Sequence, residues 1–158
     1  MSNIKRFSVS LVFWLFFVGG CSSVPSAQTP LKTMENPGGG RIVYGLVEGA
    51  TTQPQAMASV LRIMHNNCGE RPLVGKVFKV RGSNSDAVYF TVVNHPAGNV
   101  PVAGLLIATP SGPNRVEAAL VSDDASRFGS TVNPMLNRLF NEWHPGGGGQ
   151  APGSAAEL

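Results

Sequence analysis

Cysteine is scarce in this sequence: two in 158 residues, Cys21 and Cys68. Two cysteines cannot build a disulfide framework or a thiolate-rich zinc site. Charge is scarce as well, at 13% of residues, and no run of one sign occurs. Of the 12 basic residues, Lys5 and Arg6 sit in the first few positions; without them ten basic face nine acidic residues, scattered along the chain. No basic stripe remains, so nucleic-acid binding has no electrostatic footprint. The glycine runs at 38–40 and 146–149 are not followed by Lys and Ser/Thr, as a phosphate-cradling loop requires. No serine stands in a Gly-x-Ser-x-Gly elbow. No apolar run approaches the roughly 20 residues of a membrane-spanning helix. Nothing in the pattern calls for a cofactor.

What is present begins with the first twenty residues. Lys5 and Arg6 precede "FSVSLVFWLFFVGG", whose unbroken apolar core, Leu11 to Val18, is eight residues long. A basic head, a short apolar core and small residues at its end are the signature of a secretory signal peptide. A buried core helix fits poorly, because Phe13, Trp14, Phe16 and Phe17 leave no polar face.

The residues Val18-Gly19-Gly20-Cys21 resemble the bacterial lipobox, with an aliphatic residue, two small residues and a cysteine in that order. The resemblance implies that cleavage falls before Cys21, that its sulfur is the lipid-attachment site, and that the chain is a lipoprotein anchored to a membrane facing the periplasm. Ser22 in place of Asp after the cysteine slightly favours the outer membrane on the same resemblance. One acyl chain holds a protein marginally and two or more hold it firmly. Val18-x-Gly20 also suits cleavage without lipid, which leaves the protein secreted. If Cys21 carries lipid, Cys68 has no second cysteine to pair with; if it does not, a Cys21–Cys68 disulfide is open.

The expected organisation follows composition. Residues 1–20 are signal peptide. Residues 21–40 are a Ser/Pro/Thr/Gly-rich flexible tether, and residues 145–158 a Gly/Pro/Ala-rich disordered tail, both too poor in apolar side chains to offset the entropy of ordering. Residues 41–144 form a single globular domain, long enough for its own core.

Within it, "RIVYGLV" alternates as a strand. "QPQAMASVLRIMHNNCG" places Met57, Val60, Leu61, Met64 and Cys68 at helical steps, with Thr52 or Gln53 as cap and Gly69 as stop, predicting a helix over 54–67. Four strand-like runs follow, "VGKVFKVRG", "AVYFTVVN", "VPVAGLLIA" and "RVEAALVS", divided by turn clusters. The middle two are apolar on both faces, as in a meander whose central strands are covered on both sides. Gly104 inside the third run marks a bulge or a close backbone approach. "NPMLNRLFNEWH" ends the domain as a helix capped by Asn133, with Pro134 in its first turn and Arg138 paired with Glu142. The fold expected is α+β: an antiparallel sheet of about five strands, four of them a meander, with two helices packed on it. This element order resembles the small α/β/α sandwiches of the Mog1/PsbP type and, in part, the profilin-like folds; fold-level likeness carries no function.

Three constellations are candidates for chemistry. His65 and Cys68 lie three apart and would need His95 or His144 to complete a metal site. Cys68 with a histidine would make a thiol enzyme, but its place on the apolar stripe favours a buried structural sulfur. Asp123-Asp124 follow a strand and precede "ASRF", where carboxylates cap a helical start. No catalytic residue and no metal ligand is assigned. The expected role is a non-catalytic binding or assembly module of the cell envelope, its partners a membrane through Cys21 and an envelope protein or small ligand. The alternatives are a small thiol enzyme or a metal-binding protein.

Overall fold

The structure is a computed structural model, and residues 31–145 are described. The signal peptide, Cys21 with the first half of the expected tether, and nearly all of the expected tail lie outside the described residues. The described elements are β1 (Lys32–Met34), β2 (Arg41–Leu46), α1 (Gln53–Cys68), β3 (Leu73–Val74), β4 (Phe78–Lys79), β5 (Asp86–Asn94), β6 (Val100–Gly112), β7 (Arg115–Asp124) and α2 (Ala125–Glu142). All pairings are antiparallel, in the order β1-β2-β7-β6-β5-β3, with β4 also on β5. The fold is α+β, two helices on an open antiparallel sheet of seven strands. No described helix is long and apolar enough to cross a membrane.

The sheet is covered on both faces because its central strands are apolar on both. Val88, Phe90, Leu106, Ala108, Ala118 and Leu120 pack with Met57, Val60, Met64 and Cys68 of α1. Their neighbours in sequence, Ala87, Leu105, Ile107, Ala119 and Val121, pack with Phe128, Met135, Leu136 and Leu139 of α2. Period-2 alternation thus feeds two cores at once. Gly104 is the close approach: a Cβ there would lie inside the Phe90 ring and 2.8 Å from the Val121 carbonyl oxygen. Only glycine lets Phe90 lie over β6.

α1 forms as local rules require. Thr52 caps it, its hydroxyl accepting from the Gln55 amide at 3.4 Å, while Gln55 Oε1 accepts from the Thr51 amide and hydroxyl at 3.0 and 2.9 Å. Gly69, at φ +75°, closes it by donating to the His65 carbonyl at 3.0 Å.

Three expectations need correction. The sheet begins at Lys32, inside the segment read as tether: Met34 is buried against the α2 core, and the turn after it uses Gly39 and Gly40 at φ +85° and +76°. The first run of the meander is not one strand but two fragments of two residues, β3 and β4. Leu73, Val74 and Val77 stay exposed, so little burial rewards an unbroken ladder there. The last helix starts at Ala125, with Pro134 in its interior rather than its first turn, and Arg138 forms no ion pair with Glu142. The proline forfeits one helical hydrogen bond. The turns before it hold through burial of Phe128 and bonds that Arg127 and Thr131 donate to Asp123.

Candidate functional site: a cavity at the strand ends

Four strands reach the same end of the sheet. Arg41 opens β2 opposite Ser122 near the end of β7; Val102 of β6 faces Asp124; Asn94 closes β5 opposite Val100. α1 runs towards this end and brings Met64 over it. Between them lies a cavity of about 360 Å3, lined by Gly40, Arg41, Met64, Asn94, Ala97, Val100, Val102, Leu120, Ser122, Asp123 and Asp124. That is within the range of small-molecule sites.

Pleating decides which groups face it. Ile42 belongs to the α2 core, so Arg41 points to the α1 face, beside its cross-strand partner Ser122 and next to Leu120. Gly40 sets the chain's entry: at φ +76°, with a would-be Cβ 2.7 Å from Met135 Sδ and 2.9 Å from the Ser122 carbonyl oxygen, no other residue fits. Asn94 is buried and accepts from the Ala97 amide at 3.1 Å, which folds the β5–β6 turn over the rim. The walls are Met64, Val100, Val102 and Leu120; the polar groups are Arg41, Asn94 and Ser122, with Asp124 exposed at the rim.

Two arginines, Arg41 and Arg138 of α2, have a buried Nε without a hydrogen bond, and Arg41 is the one that lines the cavity. Its Nε is shut away from solvent with no hydrogen-bond partner, and no described carboxylate forms an ion pair with it. Burial pushes its pKa below the ordinary arginine value, the sign of a cation held in a poorly solvating place. A buried donor left unmade costs about 1–3 kcal/mol, more when charged. An anion entering the cavity would supply the counter-charge that no described carboxylate provides.

The neighbouring carboxylate does not neutralise it. Asp123 points to the α2 face, its side chain 3% exposed, and accepts from Arg127 at 2.5 Å, the Asp124 amide at 2.8 Å and the Thr131 hydroxyl at 2.9 Å. Burial alone would raise its pKa; the hydrogen bonds from Arg127, Asp124 and Thr131 outweigh it and hold the carboxyl below its ordinary value. The expected capping by the Asp pair is thus divided otherwise. Asp124 occupies the N-cap position but makes no side-chain capping bond, and Asp123 instead ties down the first two turns of α2.

The residues singled out from sequence are spread apart. Cys68 is wholly buried at the end of α1 and is not a free thiol. His65 is exposed and lines a second cavity of about 300 Å3 with Leu61, Arg62, Arg71, Pro72 and Val74. His95 is exposed in the β5–β6 turn, its Nε2 2.9 Å from Glu70 and its Nδ1 2.6 Å from Asn99. Those two hydrogen bonds, Asn99 first and Glu70 second, raise its pKa above the ordinary histidine value. His144 is exposed beyond α2. Among the described residues, no three of His, Cys, Asp and Glu converge on a point where a metal would sit.

Sequence reasoning missed Arg41, Asn94 and Ser122. One signal was available: Arg41 shares a strand face with Val43, which the apolar neighbours mark for burial, and a charge on such a face asks for a partner. No family model, no curated protein and no solved structure matches this chain.

Proposed function

We propose that this protein is an exported, membrane-anchored binding module of the bacterial cell envelope. Its domain captures a small amphiphilic anion, a carboxylate or phosphate carrying a short apolar tail, in the strand-end cavity. The observation that carries the reading is Arg41, a half-buried cation with no ion-pair partner among the described residues, lining a cavity whose walls are Met64, Val100, Val102 and Leu120. Arg41 meets the anionic head, with the Asn94 amide and Ser122 hydroxyl beside it; the apolar walls take the tail. Binding of this kind needs no nucleophile or base, which fits a non-catalytic role. The anchor rests on Val18-Gly19-Gly20-Cys21 and places the domain on the periplasmic side of a membrane.

Titration of the isotope-labelled chain with octanoate, octyl phosphate and octanol tests the site. Both anions should shift amides at Arg41, Val102, Leu120 and Ser122, and octanol should shift them weakly. In Arg41→Gln the anions should lose their advantage. Equal responses to octanol and octanoate, or full octanoate binding by Arg41→Gln, would overturn it.

A second reading of the anchor rests on Cys68. It is not a free thiol, and Cys21 is the only other cysteine in the sequence, so a Cys21–Cys68 disulfide, cleavage without lipid and a secreted domain form the rival. The two fates exclude each other. The intact mass of the mature protein from its native host separates them: acyl chains on Cys21 support the anchor, and an unacylated oxidised chain supports secretion.

A further inference from the structure

At the opposite side of the sheet from β1, the molecule leaves an apolar edge uncovered. Leu73 is 76% exposed, Val77 58%, Val74 46% and Tyr89 44%. They share one edge of the sheet: Leu73 and Val74 pair with Thr91 and Phe90 of β5, and Val77 precedes Phe78, whose ring stacks on Tyr89 with centroids 5.6 Å apart. By the pleat Leu73 and Tyr89 lie on the α2 face and Val74 on the α1 face, so the edge is apolar on both sides. α2 lies over β7, β6 and β2. Exposed apolar side chains gathered along one edge mark an interaction site.

The unpaired charge around the patch has one sign. Arg62 and Arg71 share the second cavity with Val74, and Lys76 stands between the two strand fragments; all three are exposed, and none forms an ion pair with a described residue. The nearby carboxylates are engaged elsewhere, Glu70 with His95 and Asp86 with Lys79 at 2.6 Å.

We infer that the β3–β4 edge is the face through which the folded domain rests on an anionic lipid surface. Leu73, Val74, Val77 and Tyr89 enter the headgroup boundary while Arg62, Arg71 and Lys76 meet lipid phosphates. Two other occupants fit worse. A second copy docking edge to edge would bring these cations against themselves. An added peptide strand would find a ladder interrupted at residues 75–77 instead of a continuous one. The inference is independent of the strand-end cavity and of whether Cys21 carries lipid.

Hydrogen exchange on the full chain, mixed with vesicles of phosphatidylcholine alone or of phosphatidylcholine with phosphatidylglycerol, tests it. The readout is local, so any attachment through the N-terminal segment does not obscure it. Amides over residues 73–78 should exchange about tenfold more slowly on the anionic vesicles. Those of β1 should be unchanged. The double variant Arg71→Glu, Lys76→Glu should lose the slowing, as should Leu73→Ser with Val77→Ser; all four side chains are exposed, so the fold is kept. Equal exchange on both vesicles would overturn the inference, and so would slowing that follows protein concentration instead of lipid charge, the mark of a second copy.

Discussion

The two ends of the sheet treat their polar groups in opposite ways. At the end where α1 begins, Gln53 Nε2 donates to the Asn84 and Ala108 carbonyls at 2.5 and 3.2 Å, and the wholly buried Ser85 shares a hydrogen bond with Thr109 at 2.6 Å. Trp143 Nε1 donates to Glu117 at 2.9 Å. The Ser111 hydroxyl and, towards the end of α2, the Arg138 Nε are left unbonded there too, and neither lines either cavity. At the end where α1 finishes, the half-buried Arg41, with no ion-pair partner among the described residues, lines a cavity. The first end bonds most of its polar groups to one another; the second leaves a cation facing open space, and on that difference the proposed site rests.

The largest way to break the comparison is to disturb the floor both ends share. Gly104→Ala drives a methyl into Phe90 and the Val121 carbonyl; chemical denaturation should show a loss of about 3 kcal/mol, with anion binding weakened alongside. Asp123→Ala should cost about 2 kcal/mol, because it strips the buried acceptor from Thr131 and the Asp124 amide, and from an Arg127 that is half in solvent. The pH dependence has a definite sign. Asp123 has a folded pKa below its ordinary 3.8, so its contribution is full above that value and fades as pH falls through the lower folded one. Urea titrations across that acid range should lose less stability in Asp123→Asn than in the parent.

Arg41 and Ser85 sharpen the contrast directly. Ser85→Ala at the closed end should destabilise by about 1 kcal/mol, since Thr109 loses its partner, and leave octanoate binding intact. Arg41→Met at the open end should do the reverse: it removes an unpaired buried charge, gains about 1 kcal/mol of stability, and abolishes anion binding. A destabilised Arg41→Met would mean that the arginine is structural. The smallest effect belongs to His95. Its folded pKa is raised above the ordinary 6.5, so its stabilising bonds to Asn99 and Glu70 are fully present below that value and are lost as pH rises through the folded pKa. Removing it in His95→Ala should flatten a shallow decline in stability as pH rises above the ordinary histidine value. A decline that survives the substitution would assign it to another group.

How far each element could be read beforehand follows from where its stability comes from. α1 carries its own caps, Thr52 and Gly69, and its own apolar period, and its bounds came within a residue or so. β5, β6 and β7 announce themselves by apolar residues on both faces. The first half of α2 does not: Gly129, Ser130 and Thr131 are poor helix formers and Pro134 reads as a start. What holds that half is Asp123 bonding to Arg127 and Thr131, and Phe128 entering the core beneath. β1 was hidden in a stretch whose composition reads as linker, because three residues suffice once β2 offers them a ladder. The candidate site was hardest to see. Arg41, Asn94 and Ser122 come from three strands, and none is unusual until pairing brings their ends together.

By itself the sequence determined the α+β class and the two-faced strands that demand a helix on each side. These are local or periodic properties, carried by neighbours a few residues apart. Only the tertiary structure decided that Arg41 faces a cavity without a counter-ion and that the β3–β4 edge stays uncovered. Both depend on register and on which strands α1 and α2 cover, and hydrophobic alternation does not specify how far a helix reaches across a sheet.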